Sequence, residues 1–298
     1  MKHFAHHITA LCLVSCAIGA ALSSCSTIDE ADRLKVVDVK VVADDIPEEP
    51  VETDSLYDAP VAVVERRILI EDHTGQKCPN CPDATRLAHN LQRQYPGRII
   101  PVAIHSQMQG IMEPEGLGNE LGNSYYQMFK IEYKPAGLIN RIDGGDGVVL
   151  DKTIWELAVK YIADDTTPDP LDIRVKAQVK ADDPTKADID VKVIATLDDS
   201  GVAGKLQVWL TEDNIVAPQD SLSGARINDY VHNHVLRATA NGLTGEDVSV
   251  NGFGDQKEFH YTVDLSAAWK PKDLAIVAFV YNDSGVVQVV RRSIRIDD

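Results

Sequence analysis

The sequence predicts an α/β domain followed by an all-β domain, placed after an N-terminal targeting segment. Three observations support this prediction. First, a short apolar run precedes a Cys-x-x-Cys pair, Cys78 and Cys81, and a helical pattern follows it. Second, apolar and polar residues alternate strictly after about residue 170, which is typical of strands with one buried face. Third, 298 residues are enough for two domains.

The composition is that of an acidic globular protein. Hydrophobic residues make up 44% and charged residues 25%, and 46 acidic residues against 29 basic ones give a formal charge of −17. Nucleic-acid phosphates need Lys and Arg, so this balance argues against a nucleic-acid partner. It also argues against adsorption to anionic lipid through a basic patch. The acidity fits a solvated surface.

The N-terminus has the pattern of a lipoprotein signal. The apolar stretch from Ile8 to Ala21 is too short to span a bilayer and runs into Leu22-Ser-Ser-Cys25. Residues 1–24 are therefore predicted to be a signal peptide, and Cys25 the acylated residue that attaches the chain to the membrane. The alternative is an ordinary secretory signal with a chance cysteine. Residues 25–65 are rich in acids and predict an extended tether, although residues 34–42 also fit an edge strand.

Residues 66–165 predict a thioredoxin-like domain. A Cys-x-x-Cys that follows a strand and opens a helix is the arrangement of that fold. A loop rich in Met, Gly and Pro is expected at 105–118. The predicted elements are strands at 67–72, 98–104, 138–142 and 148–150, and helices at 78–95, 119–130 and 151–162.

Residues 166–298 predict an immunoglobulin-like β-sandwich. About seven strands in this stretch suit that fold. Clear alternation occurs at 171–179, 189–197, 206–210 and 259–265, and a hairpin turn joins 275–281 to 286–290. No metal or nucleophile pattern stands out here, so a binding or spacing role is expected. His232 and His234 are predicted to be surface or edge residues rather than ligands.

The Cys-x-x-Cys pair carries the predicted chemistry. A helix N-terminus stabilises a thiolate, so Cys78 is expected to be the exposed, acidic nucleophile. Lys77 adds a positive charge, and His73 adds another or carries a proton. Cys81, one turn further on, is expected to be the buried sulfur that resolves a mixed disulfide. No cofactor is expected.

Pro135 is expected to complete this site. In thioredoxin-like folds a cis-proline begins the strand that faces the cysteines, and Pro135 follows a predicted helix at the corresponding place. An ordinary trans proline is the alternative, because only about one X–Pro bond in twenty is cis.

Two other uses of the cysteines stay open. Zinc would need four ligands, for which His73, His89 and His105 are the extra candidates, but one Cys pair is half of the usual set, so no metal is predicted. The second alternative use is a structural disulfide between Cys78 and Cys81. Its loop is too short to stabilise the chain much through entropy.

The mature chain resembles the Omp28-related outer-membrane lipoproteins of Bacteroidetes. The resemblance rests on the motif from Ile68 to Pro82 and, as support, on His234-Val-Leu-Arg-Ala238. It implies a location in the outer membrane, on its outer face if the acidic residues after Cys25 act as an export signal. It also implies a surface adhesin or receptor. Standard thioredoxins carry Trp where this chain has Lys77, which leaves the redox direction open.

Two functions follow. The first is thiol–disulfide exchange on envelope or surface proteins. The second is a non-catalytic adhesin or receptor that binds its partner through the β-sandwich or the loop 105–118. In both hypotheses the chain binds a partner protein and is attached to the membrane through its lipid.

Overall fold

The fold was taken from a computed structural model of the chain, which describes residues 56–198 and 201–296. The predicted signal peptide, Cys25, the edge strand at 34–42 and most of the tether lie outside the described residues.

The first half of the described chain has the predicted order of strands and helices. A single 3₁₀ turn, Lys152–Ile154, precedes the last helix. The elements are β1 (Ile68–Thr74), α1 (Cys81–Gln94), β2 (Ile99–His105), α2 (Glu120–Phe129), β3 (Ala136–Ile139), β4 (Leu150–Asp151) and α3 (Trp155–Ala163).

The second half contains more strands than predicted. Ten strands lie between residues 171 and 293, against the expected seven, and β8 to β11 were not anticipated. The strands are β5 (Leu171–Val179), β6 (Lys186–Ala195), β7 (Gly201–Glu212), β8 (Ile215–Asp220), β9 (Arg226–His232), β10 (Val235–Thr239), β11 (Glu246–Asn251), β12 (Gln256–Asp264), β13 (Leu274–Asn282) and β14 (Gly285–Ser293).

One mixed sheet runs through both halves. Its order is β14-β13-β7-β10-β2-β1-β3-β4, and β11 also pairs with β7. β1 and β2 are parallel and are connected through α1, whereas β3 is antiparallel to β1. β10 joins the halves, because Val235 pairs in parallel with Ala103. Strands on both sides of the predicted domain boundary at 165/166 therefore share one sheet, and the boundary itself stays a prediction.

The antiparallel part of the molecule is a two-layer sandwich. The three-stranded sheet β12-β6-β5 packs on the β7, β11, β13 and β14 end of the large sheet. The alternation seen in the sequence supplies the apolar face, as at Ile173, Val175, Ile189 and Val191, which are 3% exposed or less.

Helices cover both faces of β1. Ile68 and Ile70 pack with α1 and α3, whereas Leu69 packs with Tyr125 and Tyr126 of α2. Successive residues of a strand point to opposite faces. Even-numbered residues of β1 therefore face α1, which begins at Cys81, and odd-numbered residues face α2.

The described end of the predicted tether lies against the sandwich. The Arg174 guanidinium donates hydrogen bonds to the carbonyls of Tyr57 (3.3 Å) and Pro60 (3.1 Å) and to that of Ala59. The Lys192 ammonium lies 4.4 Å from the Tyr57 ring centroid. Residues 57–60, within the predicted tether, are therefore held against the sandwich.

In the part of the chain that the structure describes, no helix is long and apolar enough to cross a membrane.

Candidate functional site

Cys78 and Cys81 form a disulfide in the turn between β1 and α1. Their Cα atoms are 5.4 Å apart. The Cys78 N–H donates to Gly75 (3.0 Å), and the Cys81 N–H donates to the Cys78 carbonyl (3.2 Å). The helix begins at Cys81, three residues later than predicted, with Asn80 as its N-cap residue. Cys78 thus precedes the helix, and Pro82 occupies the first turn, where a missing N–H has no cost.

Both cysteines are buried, so the expected exposure of Cys78 is wrong. Each is 1% exposed. Their turn is held by Gln76, which is itself fully buried. The Gln76 side chain accepts a hydrogen bond from the Leu117 N–H (2.9 Å) and donates one to the Pro218 carbonyl (3.0 Å). Gln76 thereby ties the cysteine turn to the loop 105–118 and to the β8–β9 hairpin.

The β8–β9 hairpin also contacts the cysteine turn directly. The Gln219 side-chain amide donates to the carbonyls of Cys78 (3.0 Å) and Gly75 (3.2 Å). The Asp220 N–H donates to the Gln76 carbonyl (2.8 Å). These contacts join residues more than 140 positions apart, which explains why the sequence around Cys78 alone suggested an exposed thiol.

Pro135 adopts the predicted conformation, since the Lys134–Pro135 bond is cis. It is buried and leads directly into β3, where Ala136 pairs with His73 of β1. The neighbouring Lys134 ammonium donates to the carbonyls of Thr74 and Met108. Lys134 therefore joins the end of β1 to the loop 105–118.

The structure buries His73 and leaves Lys77 exposed. His73 is on the α2 face of β1, with its ring 4.8 Å from that of Tyr126. Burial, with Lys134 and Arg141 nearby, lowers the pKa of His73 to about 3, so the ring is neutral at neutral pH. Lys77 is exposed, and its N–H donates to the Gln109 carbonyl (2.8 Å).

Asp72 is the ionisable residue that sequence reasoning missed. It is on the α1 face of β1 and is 4% exposed. Burial raises the pKa of Asp72 to about 7, although the Lys134 ammonium acts in the opposite direction. Its Oδ1 has no hydrogen-bond partner among the residues that the structure describes. The signal was available in the sequence, namely a carboxylate at the end of an apolar strand, six residues before Cys78.

A small cavity of about 20 Å³ lies beside Asp72, with room for about one water molecule. The lining residues come from β1, α1, β2, the β8–β9 hairpin and the two residues that follow it. They include Asp72, His89, His105, Gln219, Tyr230, His232 and His234. His232 and His234 are 5% and 4% exposed, so their prediction as surface residues is wrong. They are buried because β10 inserts beside β2, and this brings the His232 ring to 5.5 Å from that of His105.

Within residues 56–198 and 201–296, no group of three His, Cys, Asp or Glu side chains is arranged to hold a metal ion. Of the histidines considered for zinc, His73 faces away from the cavity that His89 and His105 line.

Comparison with known proteins identifies the family. Residues 122–298, more than half of the chain, match the family "Outer membrane protein Omp28". This match begins within α2 and does not include the two cysteines. No curated protein matches the sequence.

Two solved structures are similar to this one. HBP35 of Porphyromonas gingivalis is 15% identical with a TM-score of 0.59, over 78% of this chain and 76% of that one, and thus shares its fold. A domain of the outer membrane lipoprotein Omp28 from the same organism is 25% identical with a TM-score of 0.33, over 43% of this chain and 91% of that one. From the family match, the chain belongs to the Omp28 family of outer-membrane lipoproteins.

Proposed function

We propose that this lipoprotein carries out thiol–disulfide exchange with proteins of the envelope or cell surface. The observation that carries the proposal is the buried Cys78–Cys81 disulfide together with the buried Asp72 carboxyl, which lines a cavity with Gln219, the residue bonded to the Cys78 carbonyl. A buried ionisable group with a strongly shifted pKa is common at catalytic sites. Cis-Pro135 and the start of α1 at Cys81 support a thioredoxin-like arrangement of residues 66–165. The antiparallel layers support an immunoglobulin-like sandwich over residues 166–298.

The exchange starts from the disulfide. A substrate thiolate attacks Cys78 Sγ, the bond between Cys78 and Cys81 breaks, and the Cys81 sulfur leaves as a thiolate that takes up a proton. A second substrate thiol then attacks the substrate sulfur of the mixed disulfide, and Cys78 leaves. The substrate dithiol loses two electrons and two protons, and the chain gains both. In reverse, the same steps reduce a substrate disulfide.

Asp72 is suited to handle the proton in this exchange. A carboxyl with a pKa of about 7 is present in both protonation states near neutral pH, so it both donates and accepts. It lines the same cavity as Gln219, whose amide is bonded to the Cys78 carbonyl. We assign it the transfer of a proton to or from the Cys81 sulfur. Pro135 is assigned the orientation of the substrate.

A non-catalytic adhesin or receptor is the second candidate. The burial of both sulfurs favours it, because a buried disulfide is protected from exchange. The loop 105–118 offers a binding surface with the exposed side chain of Met108, which is 37% exposed. In this case Cys78 and Cys81 serve as a structural clasp.

Trapping of mixed disulfides separates the two candidates. In Cys81→Ser, the Cys78 thiolate attacks a substrate disulfide and no second sulfur resolves the product, so mixed disulfides should accumulate with envelope proteins. Cys78→Ser is the matched control and should trap few. Equal trapping, or none in either variant, would leave the clasp as the role of the pair.

We further propose that Cys25 carries the lipid anchor. The pattern Leu22-Ser-Ser-Cys25 and the family support it. Cys25→Ala should move the protein from the membrane fraction to the soluble fraction. A variant that stays in the membrane fraction without acylation would exclude this anchor.

A further inference from the structure

The β8–β9 hairpin stands apart from the rest of the fold. It forms a two-stranded sheet of its own, residues 215–232, outside the two larger sheets. Every residue of the hairpin is described, and none belongs to the three hydrophobic clusters of the core. Its buried side chains, Gln219, Ser221, Tyr230 and His232, all carry polar groups. An isolated hairpin is marginally stable in water, so this one depends on its polar contacts.

Those contacts converge on the cysteine turn. The Asp220 N–H donates to the Gln76 carbonyl, and the Pro218 carbonyl accepts from the Gln76 side chain. Gln219, between them, donates to the carbonyls of Cys78 and Gly75. Residues 218–220 thus lie along the cysteine turn as an extended segment that is bonded through its main chain. Main-chain hydrogen bonds of this kind hold extended peptides that add a strand to an exposed sheet edge.

We propose that the β8–β9 hairpin is a gate, and that residues 217–220 occupy the groove in which an extended segment of a protein substrate binds. This inference rests on the proposed exchange activity. While the hairpin is in place, each cysteine is 1% exposed and no substrate sulfur reaches Cys78. When a substrate segment replaces residues 217–220, its main chain takes over the bonds to Gln76, and a cysteine within that segment is brought to Cys78 while other thiols stay excluded.

The proposal explains why the contacts are polar. Apolar packing between the hairpin and the cysteine turn would hold the hairpin closed. It would also expose a hydrophobic surface whenever the hairpin opened. Hydrogen bonds contribute little net stability, because water replaces them on opening. Val216, at the outer side of the hairpin, is 61% exposed and adds no apolar anchor. A gate of this kind opens without unfolding the sheet beneath it.

The test measures how fast dithiothreitol reduces the Cys78–Cys81 bond in the full-length chain. One dithiothreitol thiolate attacks a cysteine sulfur and the other cysteine leaves as a thiolate. The second dithiothreitol thiol then closes its own disulfide, so two electrons pass to the protein. Gln219→Ala removes the two hydrogen bonds to the cysteine turn. It should speed the reduction about ten- to thirtyfold. Gln256→Ala, an exposed glutamine on a distant strand, is the matched control and should leave the rate unchanged.

Two further measurements secure the result. Hydrogen exchange should show faster exchange at the Asp220 amide in Gln219→Ala and unchanged exchange in β1, which separates gate opening from a folding defect. A peptide of residues 215–222 added to Gln219→Ala should slow the reduction again, whereas a scrambled peptide should not. An unchanged reduction rate in a variant whose Asp220 amide exchanges faster would overturn the gate, as would a peptide with no effect.

Failure of the gate and failure of the exchange activity give different results. If Gln219→Ala is reduced faster and the peptide protects it, but Cys81→Ser traps no envelope protein, the gate stands and the exchange activity is rejected. If trapping succeeds but the reduction rate does not respond to Gln219→Ala, the activity stands and the gate is rejected.

Discussion

The two parts of the large sheet differ in what they bury. Where β7 and β13 pack on the three-stranded sheet, the core is made of Val, Ile, Leu and Ala side chains. Along β1, three ionisable residues in succession, Glu71, Asp72 and His73, are each 4% exposed or less. Burial of an ionisable group is costly unless the group is paired or neutral. We therefore infer that the apolar core of the sandwich provides most of the stability of the fold. The ionisable residues at the end of β1 are the candidates for chemistry.

The three residues of β1 also differ from one another. Glu71 is paired with the Arg141 guanidinium at 2.6 Å, and His73 is neutral and packed on an aromatic ring. Asp72 alone lies on the cysteine side with an oxygen that has no partner in the described part of the chain. Burial by itself does not mark a functional group. A buried carboxyl with an unpartnered oxygen on the face of β1 that packs on α1 is the stronger candidate for chemistry.

The largest effect is expected at the buried ion pair. Arg141 is held by Glu71 and lies 5.0 Å from the rings of Phe129 and Phe279. Glu71→Ala leaves the positive charge of Arg141 buried without a partner. The variant should therefore lower the free energy of unfolding by about 3–5 kcal/mol in urea denaturation. Asp247→Ala, which breaks the exposed pair with Lys205, is the control and should change stability little. Equal losses in the two variants would contradict the assignment of Glu71 to structure.

Acid should weaken the fold through its buried histidines. Burial, together with His234 and Arg93, lowers the pKa of His89 to about 4 from the ordinary value of 6.5. Between these two values the unfolded chain binds the extra proton, so the stability present above pH 6.5 is lost as the pH falls towards 4. His89→Gln should reduce this acid-induced loss by about 2–3 kcal/mol at pH 4 in urea denaturation. Gln256→Ala, which removes no ionisable group from an exposed site, is the control and should leave the pH dependence unchanged.

Asp72 should act on stability with the opposite sign. Its pKa is raised from 3.8 to about 7, so the folded state holds the proton and stability falls as the pH rises through this range. Asp72→Asn should raise the free energy of unfolding by about 1–3 kcal/mol at pH 8 and by less at pH 4. It should also slow disulfide exchange. If Asp72→Asn is no more stable than the unsubstituted chain at pH 8, the charge of the Asp72 carboxylate is balanced by its surroundings, which would contradict the prediction.

The shared sheet predicts the smallest effect. A protease should cut the exposed segment 164–168, but β10 remains paired with β2, so the fragments should stay associated on gel filtration under native conditions. They should separate in urea. Separation without denaturant would support two independent domains with the boundary at 165/166.

Much of the fold could be predicted from local patterns. The alternation in β5 and β6, the helical spacing after Cys81 and the place of Pro135 all depend on residues close together in the chain, and the structure has them as expected. The strands of the hairpin were missed because their signal is weak. β8 contains a proline, and the hairpin has few buried apolar residues to produce an alternation.

The candidate site could be predicted only in part. The cysteines and Pro135 follow from spacing, but the hydrogen bond from Gln219 to the Cys78 carbonyl joins residues 141 positions apart. His232 and His234 look like surface residues in their own segment, and they become buried only because β10 inserts between β7 and β2. Contacts of this range leave no periodic trace in a single sequence.

The reduction potential of the Cys78–Cys81 disulfide tests the central claim most directly. The full-length chain is equilibrated in glutathione and dithiothreitol buffers, long enough for the closed hairpin not to limit the result, and the fraction of disulfide is measured. An exchange-active pair should have a potential between about −270 and −120 mV, as thiol oxidoreductases do. A potential below about −300 mV, typical of structural disulfides in secreted proteins, would contradict the proposed activity.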